Sequence, residues 1–328
     1  MTLSYNYYKQ SVILFLMFGL LNIIYSQNNP LLETKILDSL LANGEIIKAD
    51  SVLSKNITEL KQHQHYTELT RRIYYYGKIQ LQLKTKDDAI KSVLQFADGI
   101  TQLTDSIEVS RQKHLTLSRF YAFLRDYKSA SEQNLLALAE TEKMPNATAD
   151  MLAIIHHNLS VDYRRMGNVQ KAIWHSRKSI DLYLSYPKSD PTKVLDAYNS
   201  LGARMWDAYK IDSALYYFKK GEKIIDKLEN NPMNQYYHRA KTQSNIASVS
   251  RILGNNDQAQ LYNEKAIKNY NLFINSEGES KDFFKEEARL FLLLTIENYA
   301  DDFSNEGNYI KARDLIEYVH NQKLKYFP

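Results

Sequence analysis

With 328 residues, 44% of them hydrophobic, the chain can bury a sizeable core, and only ten glycines and six prolines suit long helices joined by short turns. Lys plus Arg number 42 against 38 Asp plus Glu, and a net charge of +4 is too small for a nucleic-acid footprint. With no cysteine, disulfides, thiol catalysis and thiolate metal sites are excluded.

At the N-terminus, Lys9 precedes an apolar run from Val12 to Leu21, continued by Ile23 and Ile24 and broken by Tyr25-Ser26-Gln27. A basic residue, a short apolar core and a small residue before a polar break describe a secretory signal peptide. The run falls short of the roughly 20 residues of a membrane span. The expectation is a signal peptide over residues 1–26, cleaved between Ser26 and Gln27. The mature chain, residues 27–328, is then exported, periplasmic or extracellular, with no stable membrane span.

From there on, alanines recur at a nearly fixed interval: Ala49, Ala89, Ala130, Ala172, Ala214, Ala259 and Ala312, spaced 40, 41, 42, 42, 45 and 53 residues apart. Companion columns travel with them. Thirteen residues earlier stands a large apolar residue (Ile36, Tyr76, Leu117, Leu159, Leu201, Ile246, Tyr299). The next position is small in six cases, namely Gly77, Ser118, Ser160, Gly202, Ala247 and Ala300. Five before the alanine, glycine appears as Gly44, Gly167, Gly254 and Gly307. Periodicity of this kind fixes architecture: a helical repeat array of about seven units.

The unit from His157 to Leu182 shows why. Leu159, Tyr163 and Met166 share one stripe of a first helix. Gly167-Asn168 ends it with two residues that tolerate a left-handed cap. A second helix follows with Val169, Ala172, Ile173 and Ile180 on its inner side. Small residues at Ser160 and Ala172 let the two helices approach closely. One hairpin cannot bury its own stripe, so neighbours must stack on it. Polar clusters at 186–191, 230–232 and 275–278 mark the joints, and the last two are expected to absorb the extra length of the 45- and 53-residue intervals.

The segments LSVDYRRMGNVQKA, LGARMWDAYKIDSA, IASVSRILGNNDQA and YADDFSNEGNYIKA carry a large-small-x-x-aromatic, glycine, alanine pattern. This resembles the tetratricopeptide repeat from about Pro30 onward. The usual repeat is 34 residues, so the intervals here look more like the long repeats of kinesin light chains and some exported bacterial proteins. The first two units are degenerate, with Gln80 and Lys84 where an aromatic and a glycine are common. The resemblance implies an all-α, right-handed superhelical solenoid of antiparallel helix pairs forming one domain over 27–328.

No catalytic constellation appears. The sequence lacks a glycine-rich phosphate loop, a His-Glu-x-x-His helix and a Gly-x-Ser-x-Gly elbow. His63/His65 and His156-His157 do not face one way at i, i+4, so they read as solvated or groove-edge histidines and no metal or other cofactor is expected. Carboxylate pairs such as Asp87-Asp88 and Asp301-Asp302 read as solvated helix faces.

Binding is the better reading. The resemblance implies that first helices line a groove, and that the residue before the large apolar one can hold a peptide backbone. Those positions are Asn158, Ser200 with Asn199 beside it, Asn245 and Asn298. An amide satisfies a peptide N–H and C=O without reading sequence. Five after the large residue stand Arg164, Trp206 and Arg251, suited to clamping a carboxylate or stacking on an anchor. The expected function is an exported, non-enzymatic scaffold for a protein or peptide partner. The alternative is the sensor or regulatory half of a signalling or CHAT-type, caspase-like protease system whose catalytic part lies on another chain. In the last helix, Ile310, Leu315, Ile316, Tyr318, Val319 and Leu324 exceed what one partner helix can cover, which makes a second copy of the chain a further candidate partner.

Overall fold

The computed structural model describes residues 30–277 and 282–326, so the expected signal segment lies outside the described residues. Among them it contains fourteen α-helices and no strand. The chain divides into two compact units that meet in sequence at Pro145 and Asn146. Unit 1 holds α1 (Pro30–Ala42), α2 (Ile46–Gln62), α3 (Tyr66–Leu83), α4 (Lys86–Thr101), α5 (Ile107–Phe123) and α6 (Tyr127–Lys143). Unit 2 begins with α7 (Ala149–Arg165), α8 (Val169–Ser185), α9 (Pro191–Asp207) and α10 (Ile211–Ile225). It continues with α11 (Arg239–Ile252), α12 (Asn256–Ile274), α13 (Asp282–Asn305) and α14 (Tyr309–Tyr326). Odd-numbered helices are the first, and even-numbered the second, members of seven hairpins, so each unit is an all-α solenoid stack.

Every alanine of the repeating column lies near the start of a second helix and is buried. The large apolar column is buried from Leu117 onward, at Leu159, Leu201, Ile246 and Tyr299. The degenerate first unit slips by one residue: Ile36 is exposed and its neighbour Leu37 takes the core position.

The hairpin turns follow from one backbone motif. In the second unit's first hairpin the Gly167 N–H donates to Arg164 C=O (2.9 Å) and the Asn168 N–H to Tyr163 C=O (2.8 Å), a Schellman cap. Gly167 has φ +76°, the left-handed region. Asn168 does not share it. Its φ is −85°, and its side chain accepts from the Lys171 N–H as the N-cap of α8. The same pair of bonds closes the turns at Arg125 and Tyr209, which adopt φ +60° and +56° although they carry a Cβ. Lys84 alone of the seven is extended, at φ −136°.

The long intervals are only partly loop. A π-helical turn at Met233–His238 runs directly into α11, and α13 extends to 24 residues where the other helices have 13 to 19. The extra residues lengthen first helices because Tyr237, Leu292, Leu293 and Ile296 bury against Tyr270 and Phe273 of α12.

Candidate binding surfaces

In unit 2 the first helices α7, α9, α11 and α13 carry all seven residues singled out from the sequence. Their surroundings separate them into two groups. Arg164 reaches from α7 to Asp207 at the end of α9 through a bidentate pair, Nε–Oδ2 2.6 Å and Nη2–Oδ1 3.1 Å. Asn199 of α9 donates through Nδ2 to Thr242 Oγ1 of α11 at 3.0 Å. Arg251 of α11 donates to both the backbone carbonyl (2.8 Å) and Oδ1 (3.0 Å) of Asn298 in α13, with Asp301 and Asp302 each 3.5 Å away. Four of the seven therefore tie one hairpin to the next. Trp206 is half-buried and packs on the apolar core of unit 2. Asn158 and Asn245 are half-buried, and neither side chain makes a hydrogen bond within the described residues.

A buried polar seam runs beneath this face. Ser160 and Ser176 hydroxyls lie 2.5 Å apart, and Arg204 Nε donates to Ser160 Oγ at 3.1 Å. Burial, reinforced by the neighbouring Arg164 charge, lowers the Arg204 pKa to about 10. His156 is not at a groove edge: it is buried against His175, Nδ1 to Nδ1 2.8 Å, with Tyr163 stacked on the His175 ring. Two ring nitrogens at that distance require one N–H donor and one bare acceptor, so the accepting ring is neutral and the two cannot both be charged. Burial is the main cause of the lowered pKa of each, His175 to about 4, with the His156 charge next for His175. In α13, burial raises the Asp302 carboxyl, whose Oδ2 accepts from Asn263 Nδ2 at 2.7 Å.

Unit 1 contains a cavity that the asparagine pattern missed. About 360 Å³ in volume, it is lined from α1, α3 and α5 by residues including Arg71, Arg72, Tyr75, Gln112, Thr116 and Arg119. Tyr75 and Thr116 occupy the same column as Asn158 and Asn245, the position before the large apolar residue. That column was the available signal; the change of residue type concealed it. Burial and then Asp38 push the Tyr75 hydroxyl up to about 12, and it donates to Asp38 Oδ2 at 3.3 Å.

Among the described residues, no group of three or more His, Asp or Glu side chains is placed to hold a metal ion. No described helix is long and apolar enough to cross a membrane. In α14, Tyr309, Ile310 and Leu324 are each more than 60% exposed, and Ile316 lines a groove of about 570 Å³ with Ala300, Ser304 and Ala312.

No protein-family model and no curated protein matches this sequence. Solved structures do match in fold. A signal-transduction ATPase with a tetratricopeptide repeat sensor from Pyrococcus horikoshii superposes with a TM-score of 0.65 at 12% identity, over 91% of this chain and 42% of that one. BtubC (BKLC) from P. vanneervenii gives 0.57 at 16%, over 83% and 91%. A Rap protein complexed with Competence and Sporulation Factor gives 0.57 at 11%, over 90% and 77%. The chain thus has the fold of the tetratricopeptide-type helical repeat proteins.

Proposed function

We propose that this chain is a non-enzymatic scaffold that holds an extended peptide segment of a protein partner along the first-helix face of unit 2, outside the cytoplasm. The observation that carries the reading is the pair Asn158 and Asn245. They occupy equivalent repeat positions, are half-buried, and leave their amide donors and acceptors without partners among the described residues. A half-buried polar group without a partner is costly unless water or a ligand supplies one. The regularly spaced backbone of an extended peptide offers that complement. The Rap neighbour bound to Competence and Sporulation Factor supports such a use of this fold. Export rests on the apolar segment and polar break before Gln27; N-terminal sequencing of the secreted protein should begin at or near Gln27, and a full-length cytoplasmic chain would overturn it.

The binding test uses a partner captured from the cell envelope and its contacting peptide. Replacing Asn158 and Asn245 with alanine should weaken peptide binding by ~1 kcal/mol or more without loss of thermal stability. Asn199→Ala should instead lower stability, because it breaks the tie to Thr242. If the Asn158 and Asn245 variants lose stability while binding is unchanged, the assignment fails.

The second reading is a regulatory half whose catalytic part lies on another chain. It is favoured by the ATPase neighbour, in which the matched region is a minority of the protein. An adjacent reading frame encoding a catalytic domain that co-purifies with this chain would support it over the first. A second copy docking on the exposed apolar residues of α14 belongs to the same proposal. Light scattering at low micromolar concentration should then show a dimer that Leu324→Glu dissociates, and a strict monomer would remove this part.

A further inference from the structure

We propose that the outer face of the second helices α8, α10 and α12 in unit 2 is a docking surface for an anionic lipid bilayer. Two residues after each alanine of the repeating column, the side chain is exposed in all seven hairpins. In α2, α4, α6 and α14 that position holds Ser51, Lys91, Glu132 and Asp314, all polar. In the three consecutive second helices of unit 2 it holds Trp174, Tyr216 and Leu261, which are 52%, 56% and 48% exposed. The fold therefore does not require an apolar side chain here. Single exposed apolar residues are ordinary, but three at one register position of successive hairpins form a row.

The row is continuous. Ile173 of α8 and Leu215 and Tyr217 of α10 pack in one core cluster. Lys219 of α10 stands 3.9 Å from the centre of the Tyr262 ring of α12. One helical turn beyond each apolar residue comes a lysine: Lys178, Lys220 and Lys265. Lys178 Nζ lies 5.8 Å from the Trp174 ring centre, Lys220 Nζ 5.3 Å from that of Tyr216, and Lys265 Nζ 5.0 Å from that of Tyr262. None of the three is ion-paired among the described residues, and the same holds for Arg177, Lys223 and Lys268 on the same helices. Two carboxylates of the face are engaged: Glu222 by Lys219 (3.5 Å) and the Tyr262 hydroxyl (3.0 Å), and Glu264 by the Tyr299 hydroxyl (2.5 Å). In all, α8, α10 and α12 hold eight Lys and Arg against five Asp and Glu.

Charge and amphipathy select the occupant. Trp and Tyr favour the headgroup level of a bilayer, where the ring is buried and its polar tip stays wet. Lysine stems lie along apolar surface while their ammoniums reach the anionic headgroups. Shallow apolar side chains plus a row of cations supply the two signals that peripheral attachment needs. The apolar residues come singly, one per hairpin, each beside a cation. Lipid closes around such separate side chains, whereas a protein anchor is seated in a packed pocket. The surface lies on second helices, so it stands or falls separately from the peptide face of the first helices.

The test is co-sedimentation of the mature chain, residues 27–328, with phosphatidylcholine vesicles with and without about 30% phosphatidylglycerol. The apolar N-terminal run is thereby left out of the measurement. Anionic vesicles should bind at least about tenfold more tightly than neutral ones at about 0.1 M salt, and about 0.5 M salt should release the chain. Joint Lys178→Glu, Lys220→Glu and Lys265→Glu changes should remove that preference, and Trp174→Ser with Tyr216→Ser should weaken binding about tenfold, with circular dichroism unchanged. The lysine changes touch no core residue, so they decide the matter if the aromatic changes disturb folding. In a Trp206→Phe background, Trp174 emission should move to shorter wavelength on anionic vesicles and be quenched by brominated acyl chains. No sedimentation with anionic vesicles, equal binding to neutral ones, indifference to the lysine changes, or unmoved Trp174 emission would each overturn the proposal. Polyglutamate that shifts Trp174 emission where vesicles do not would assign the face to an acidic protein and overturn it as well.

Discussion

The same substitution, glycine to alanine in a helix, should have opposite signs at Gly202 and Gly99. In an open helix position it removes backbone freedom from the unfolded chain and stabilises by about 0.5–1 kcal/mol. Gly99 in α4 is such a position: a Cβ there meets nothing within 4 Å. A Cβ at Gly202 in α9 would lie 2.7 Å from both Cδ1 and Cε1 of Phe218 and 3.0 Å from Cζ. Carbon atoms pack at about 3.5–4.0 Å, so the ring would have to retreat by roughly 1 Å. Phe218 is fully buried among Leu201, Met205, Ala214 and Ile246, with no space to receive it. Overpacking of this kind costs ~1–3 kcal/mol, which outweighs the helix gain and leaves a net loss of about 1–2 kcal/mol at Gly202. Equilibrium urea denaturation of the two variants against the parent should give midpoints displaced in opposite directions. Trimming the ring should rescue the clash, so that Gly202→Ala/Phe218→Leu is more stable than the sum of its single changes by about 1 kcal/mol. A Gly202→Ala variant at least as stable as the parent would refute the close-approach argument.

Tyr209 adopts a left-handed conformation that costs a residue with a Cβ about 1–2 kcal/mol, so Tyr209→Gly should raise the thermal midpoint, with a net gain of about 0.5–1 kcal/mol after the entropy of the added glycine; a fall would show that the exposed Tyr209 ring makes an unrecognised contact. Ala172→Leu should overpack the α7–α8 junction at a cost of ~1–3 kcal/mol, read from the same denaturation curves, and an unchanged midpoint would argue against the repeat packing. The His156–His175 pair predicts acid sensitivity. Folding lowers the His175 pKa from its ordinary value to about 4, so its stabilisation is complete above about pH 6.5 and is lost as the pH falls from there towards 4. The loss should approach about 2 kcal/mol. His175→Phe, which keeps the stack on Tyr163, should flatten the fall in melting temperature between pH 7 and 4.5, and an unaltered slope would mean that other groups cause it.

The sequence by itself determined the architecture, because a solenoid repeats one local solution. The alanine column, the small residues opposite it and the glycine before four of the second helices are short-range requirements written at a fixed spacing. Helix pairing in all seven hairpins could be read from them, including turns where Arg125 and Tyr209 replace the glycine. Where the pattern weakened, so did its reach: the slip from Ile36 to Leu37 and the lengthening of α13 depend on which neighbour is present to be buried against. The candidate site was legible only as positions. Periodicity places Asn199, Arg164 and Arg251 on first helices, but their partners Thr242, Asp207 and Asn298 stand 43, 43 and 47 residues away. Only the stacking of hairpins decided that these polar groups are tied to each other while Asn158 and Asn245 are left open. Likewise the His156–His175 contact spans two helices, and the cavity around Arg72 draws on three. A repeat pattern fixes which face a side chain occupies; what it meets there is set by distances between hairpins, and those exist only in the folded chain.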